Sequence, residues 1–249
     1  MLRLKTISTG SIGNCYLLST ETETLILDCG IPIMEIKKGL DFDLSKVVGV
    51  CVTHAHLDHS KSVKDFENMG IPILSAYEMN ILSSNGEYPQ RLCVTYGNFR
   101  VTSFALTNKD GRFMHTNANG SECPCYGFLI THPDLGRMLY ITDTELVKWR
   151  FKDINHILIS CNYQKKYIED ENLAKRNHVF RGHMELETVK EFIKANNSES
   201  LQNIILCHLS NDNSNPEECK AEVEKVAKCP VYVARKGLGV ELKESGCPF

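Results

Sequence analysis

A chain of 249 residues with 42% hydrophobic and 24% charged residues has ordinary globular composition, which excludes disordered, collagen-like and coiled-coil classes. Its 28 Lys and Arg against 31 Asp and Glu give a formal net charge of −3, so the surface as a whole is not a polycation for nucleic acid. A local basic groove remains compatible with that balance.

Short apolar, β-branched runs bounded by turn residues predict strands over 2–7, 15–18, 25–28 and 47–53, then a helix over 60–69 and a strand over 71–74. Strands over 99–106, 126–131, 137–142 and 156–160 follow, then a helix over 185–195 and a strand over 203–208. A helix over 216–227 has Asn215 as its N-cap and Pro216 as its first residue, and strands over 230–234 and 239–242 close the chain. Hairpin-ordered strands first and helices later suggest two stacked sheets with helices outside, a four-layer αββα sandwich of the α/β (α+β) class. No linker or repeat divides the sequence, so a single domain over 1–249 is expected. Strand count alone does not separate this from a doubly wound sheet; the site residues do.

Eleven Cys cannot all pair, and several lie in apolar runs such as Val50-Cys51-Val52. They read as buried free thiols in a reducing compartment. The start, Met-Leu-Arg-Leu-Lys-Thr, lacks the apolar stretch of a signal peptide. No apolar run approaches the roughly 20 residues that cross a bilayer. A cytoplasmic location without membrane association is therefore expected.

The densest chemistry lies at Val52-Thr53-His54-Ala55-His56-Leu57-Asp58-His59-Ser60, where an apolar strand runs into three His and one Asp within six residues. His54 and His56 are two apart in extended backbone, so both imidazoles face one side and can share a cation. Asp58 and His59 follow where the chain turns into a helix, so their side chains can diverge toward a second cation.

This His-x-His-x-Asp-His segment resembles the metallo-β-lactamase superfamily. Further stations of that pattern occur in order: Asp28 ending Leu25-Ile26-Leu27-Asp28, Asp143 ending Leu139-Tyr140-Ile141-Thr142-Asp143, and His208 ending Ile205-Leu206-Cys207-His208. The resemblance implies two divalent ions (Zn²⁺ or Mn²⁺, with Fe²⁺ also accepted) that share a bridging hydroxide. His54, His56 and a third His would hold the first, Asp58, His59 and His208 the second, with Asp143 bridging and Asp28 supporting the loop. The third His is missing from the simplest alignment, which reads Leu106-Thr107-Asn108-Lys109-Asp110. His115 is the expected replacement, with Asn108, Asp110, Cys123 and Cys125 as alternatives.

Within the superfamily the chain is most similar to the YycJ/WalJ-type branch of 5′-to-3′ exonucleases, through Gly10-Ser11-Ile12-Gly13-Asn14, Gly182-His183-Met184 and His208-Leu209-Ser210. A phosphodiester substrate needs extra donors, for which Ser11, Gly13, Asn14 and Arg181 are candidates. The Ser11–Asn14 turn also fits a plain glycine-rich hairpin connection. His183 is a candidate general acid or phosphate contact, and Asp58 a candidate for orienting water or taking its proton. The expected function is a nuclease on DNA or RNA. The alternative is a phosphodiesterase of small or cyclic nucleotides, whose closed pocket a homodimer would complete; lactam or thioester hydrolysis ranks below both. A purely structural metal protein is disfavoured, because structural zinc sites are closed sets of Cys and His.

Overall fold

The computed structural model describes residues 2–75, 77, 90–168 and 182–243. One sheet contains β1 (Leu2–Ser8), β2 (Cys15–Ser19), β3 (Thr24–Leu27), β4 (Val47–Val52), β5 (Ile73–Ser75) and β15 (Gly239–Leu242), in the order β15-β1-β2-β3-β4-β5. The second contains β6 (Arg91–Tyr96), β7 (Phe99–Ala105), β10 (Tyr126–His132), β11 (Gly136–Ile141), β12 (His156–Ser160), β13 (Asn203–Cys207) and β14 (Val231–Val233). Its order is β14-β13-β12-β11-β10-β7-β6, and β8 (His115–Thr116) and β9 (Glu122–Cys123) form a separate small hairpin.

The apolar pattern explains the stacking. Alternate residues such as Leu4, Leu18 and Leu27 of the first sheet and Phe128, Tyr140 and Leu158 of the second are buried in one shared core between the sheets. The other face of the first sheet is covered by α1 (Ile33–Gly39) and α3 (Val63–Asn68), through Ile36, Val63 and Phe66. On the second sheet α4 (Leu186–Asn196) and α5 (Pro216–Glu224) pack Val189, Ile193, Cys219 and Val223 against Ile157, Ile204 and Leu206. Strands β12 and β13 are buried at every position, as their unbroken apolar runs require when both faces are covered. Each large apolar side chain so buried contributes about 1.5–3 kcal/mol. The four layers are helix, sheet, sheet, helix.

The structure departs from the expected elements in several places. The 60–69 helix is two pieces, α2 (Leu57–Ser60) and α3, because Ser62 leaves helical geometry at φ −101° and ψ 15°. Its Oγ donates to Ile31 O at 2.6 Å and its N–H to Cys29 O at 3.0 Å, pinning the break. Strand β6 escaped notice because its half-buried, alternating face carries no apolar run. Helix α1 starts after Pro32 with no side-chain cap, so it has no start signal beyond the proline. Conversely, the Asn215 cap is present: its side chain accepts from the N–H groups of Glu217 and Glu218. Among the described residues no helix is long and apolar enough to cross a membrane.

Candidate metal centre

All the strands that lead to the centre end one residue or two before it. Asp28 follows β3, Thr53 and His54 follow β4, Asp143 follows β11 by two residues, and His208 follows β13. Asp28, Asp143 and His208 all take left-handed backbone, with φ of 54°, 48° and 50°. Asp and His tolerate this region better than most residues, and it turns each side chain off its strand toward the gap between the sheets.

The histidine loop is seated from below. Asp28 is fully buried, and its carboxylate accepts from Thr53 N–H at 2.8 Å, from Thr53 Oγ, from Tyr140 Oη, and from His59 Nδ1 at 2.7 Å. The loop also needs Gly30, where a Cβ would lie 1.7 Å from the Asp58 carbonyl oxygen.

Three ring orientations are fixed by partners on the far side of each imidazole. His54 Nδ1 lies 3.1 Å from Thr53 Oγ, and its buried Nε2 has no hydrogen-bond partner among the described residues. His115 Nδ1–H donates to Gly182 O at 3.0 Å, a contact only glycine permits, since a Cβ there would lie 2.4 Å from that nitrogen. His56 Nε2–H donates to Asn117 Oδ1 at 3.1 Å. The Asn117 amide is itself oriented, since its Nδ2 donates to Ser121 Oγ and Glu122 O. With both outer N–H groups so engaged, His56 Nδ1 and His115 Nε2 present lone pairs to each other at 3.0 Å. Two facing lone pairs beside an unpartnered His54 Nε2 fit a cation between them.

A second cluster adjoins the first. His59 Nε2 lies 2.9 Å from Asp143 Oδ2 and 3.4 Å from Asp58 Oδ2, and His208 Nε2 lies 3.4 Å from Asp58 Oδ2 and 3.5 Å from Asp143 Oδ2. Among the described residues three donor sets can each converge on one ion: His54, His56 and His115; His54, His59 and Asp143; and Asp58, His59 and His208. Asp143 Oδ1 is buried without a hydrogen bond among the described residues, another orphan that a divalent ion would satisfy. Despite desolvation, the carboxyls of Asp58 and Asp143 are held well below the usual range, His208 and His59 being the cause in both. Both are thus anionic. These residues fit a divalent metal.

Of the alternatives for the missing ligand, Asn108 spends its side-chain oxygen on a turn by accepting from the N–H groups of Asp110 and Arg112, and among the described residues Asp110 joins no donor set of His, Cys, Asp or Glu. Burial pushes the Cys123 thiol up to about 11 and raises the Cys125 thiol as well. Cys125 Sγ sits behind His54, 3.8 Å from its Nδ1, and donates to Thr142 O.

The expected phosphate cradle needs correction. Asn14 is fully buried, and its Nδ2 bonds Gly10 O, Asp58 O and His59 Nε2 while its N–H bonds Asp58 O. Gly13 N–H closes the turn on Gly10 O. Their donors are committed to the scaffold, so Gly13 and Asn14 support the metal loop instead of a phosphate. Ser11 is exposed on that turn, and Arg181 lies outside the described residues. His183 stands at the mouth, 24% exposed, with Nε2 3.9 Å from Asp143 Oδ1 and its ring edge-on to His115. Sequence reasoning missed Thr53, Asn117, Tyr140 and Asn162; the last places its Nδ2 3.2 Å from His208 Nδ1 and accepts from Met184 N–H.

This arrangement agrees with the comparisons to known proteins. A family model described as the metallo-β-lactamase superfamily matches residues 8–74, from the glycine turn through the histidine loop. A Bacillus anthracis protein named exodeoxyribonuclease YycJ is 23% identical over 261 residues, which cover 96% of this chain and 92% of that protein. The crystal structure of the metallo-β-lactamase fold protein YhfI from Bacillus subtilis superposes with a TM-score of 0.67 at 16% identity, covering 97% and 100% of the two chains. The chain has the metallo-β-lactamase fold. Human tRNase Z, short form, shares the fold at a TM-score of 0.58 and 12% identity, covering 96% of this chain and 99% of that one. In this metallo-β-lactamase-fold chain the hairpin of β8 and β9 carries both His115 and the residue that orients His56.

Proposed function

We propose that the chain is a metal-dependent phosphodiesterase that cleaves nucleic acid from its ends, a 5′-to-3′ exonuclease, working with two divalent ions. The observation that carries this reading is the convergence of His54, His56 and His115 beside Asp58, His59 and His208, with Asp143 reaching both sets. The exodeoxyribonuclease name of the Bacillus anthracis relative supports the substrate class. His and Asp donors accept Zn²⁺, Mn²⁺ or Fe²⁺.

Bound there, two such ions supply Lewis-acid charge and lower the pKa of water, the chemistry an in-line displacement at phosphorus requires. The protein's own groups do the rest. Asp58, 28% exposed beside His59 and His208, orients the attacking water or takes its proton. His183, at the rim over Asp143, is placed to protonate the leaving oxygen. Asp28 keeps His59 in position from beneath, through Nδ1.

The test is a panel of substrates with Zn²⁺ or Mn²⁺ supplied: 5′-phosphorylated DNA, RNA, cyclic nucleotides and bis(p-nitrophenyl) phosphate. Release of mononucleotides from 5′-phosphorylated DNA, abolished together with metal content in His56→Ala, is the expected result. Turnover of cyclic nucleotides alone would overturn the exonuclease reading.

A further inference from the structure

The sole tryptophan of the chain, Trp149, is 47% exposed on the loop that follows Asp143. That loop is anchored along its length. Thr144 Oγ bonds Leu146 O, Glu145 accepts from Gly182 N–H, and Phe151 N–H donates to Asn196 Oδ1 at 2.7 Å while its ring packs on Phe104. Between these anchors Lys148 Nζ donates to Thr107 Oγ at 2.9 Å and Asn108 O at 3.2 Å, and lies 4.9 Å from the centre of the Trp149 ring. The indole is therefore held by a fixed cation on a fixed loop. An exposed large aromatic so fastened marks a contact surface.

Lys148 also ties this loop to the turn that leads into His115. Asn108 Oδ1 shapes that turn and leaves Lys109 and Arg112 exposed on it, next to the strap of Lys148, Trp149 and Arg150, all exposed. The two segments bring four cations (Lys109, Arg112, Lys148, Arg150) against Asp110 and Glu145, a local reversal of the net charge of −3. Arg112 precedes His115 by three residues and Trp149 follows Asp143 by six, so the Cα atoms of Trp149 and Asp143 lie at most about 22 Å apart.

We propose that this rim binds single-stranded nucleic acid, a base stacking on Trp149 and neighbouring phosphates on Arg112 and Arg150, so that a strand is led into the metal centre. The inference rests on the nuclease reading of that centre and deepens it by naming a strand-binding site and its conformation. A base face needs an open aromatic plane and a backbone needs spaced cations, whereas a duplex buries its base faces.

Because Trp149 is the only tryptophan, its emission reports the site directly. The metal-loaded protein is titrated with a cleavage-resistant phosphorothioate 12-mer of deoxythymidine, a ribo-oligonucleotide of the same length, a hairpin duplex and thymidine monophosphate. Saturable quenching by the single strands, weaker with the duplex and the mononucleotide, is expected. Trp149→Ala should weaken oligonucleotide binding about ten- to a hundredfold by anisotropy. It should leave hydrolysis of bis(p-nitrophenyl) phosphate unchanged, since that substrate is too small to reach the rim. Arg112→Ala with Arg150→Ala should flatten the logarithmic salt dependence by about 0.7 per lost phosphate contact. Wild-type oligonucleotide affinity in Trp149→Ala, or quenching by the mononucleotide that gains nothing with length, would overturn the proposal. Failure of the nuclease reading looks different: the strand binds and quenches, which upholds the rim, yet no oligonucleotide is cut.

Discussion

His56 is useful to a metal only if its proton sits on the outer nitrogen, and Asn117 is what puts it there. The amide cannot swing round without losing both Ser121 and Glu122, so its oxygen stays on His56 Nε2. Partners of this kind are worth about 10–100-fold in metal affinity. Asn117→Leu should therefore weaken the first metal by that order in a Co²⁺ titration followed by absorbance, with little change in thermal unfolding of the metal-free protein. Asp, which keeps an acceptor oxygen, should restore most of it. Unchanged Co²⁺ affinity in Asn117→Leu would sink the argument. Much of this centre was legible in the sequence because its ligands are chemically conspicuous and ordered along the chain. His115 could be picked out as the nearest histidine to a gap. Asn14, Asn117 and Asn162 could not, because an amide carries no spacing signal and each acts on a histidine 45, 61 or 46 positions away.

At the scale of elements, the end of the sandwich remote from the candidate metal centre has its own latch. Glu23, at the turn before β3, accepts from Asn98 N–H at 2.9 Å, Asn98 Nδ2 at 2.8 Å and His132 Nε2 at 3.0 Å, joining the first sheet to two strand ends of the second. Desolvation would raise its pKa, but the bonds from Asn98 and His132 outweigh it and hold the carboxyl below the ordinary range. A depressed carboxylate lends stability above its unfolded pKa and loses it as pH falls through the folded value. Glu23→Gln should cost about 1–2 kcal/mol at pH 7. The gap between variant and wild type in thermal midpoint should close as pH is lowered below about 4.5. A gap that stays constant from pH 7 to pH 3 would show that charge is not the cause. The elements themselves were readable where burial is complete, as in β12 and β13, and unreadable where it is partial. Strand β6 alternates exposed and half-buried residues at a sheet edge, and β8 and β9 are two residues each, too short for any period.

For the whole molecule, the centre is a set of buried histidines and carboxylates that close the gap between two sheets, so metal occupancy and stability are linked. Free ion at a hundred times its Kd should add about 2.7 kcal/mol to the folded state. In a chain of this size that corresponds to a rise in Tm of roughly 5–10 °C on adding Zn²⁺ or Mn²⁺, reversed by chelator. A midpoint indifferent to metal would mean that the cluster is not where the ion binds. The left-handed backbone at Asp28, Asp143 and His208 has a further consequence for how such a chain can change over generations. A position with φ near 50° is most comfortable with glycine, while the chemistry tolerates only a donor. Selection for robustness alone should therefore drift Asp143 and His208 toward Gly, relieving about 1 kcal/mol of conformational strain each. Selection for turnover should hold them, so pooled variants sorted in parallel by heat resistance and by activity would part company at these strand ends first.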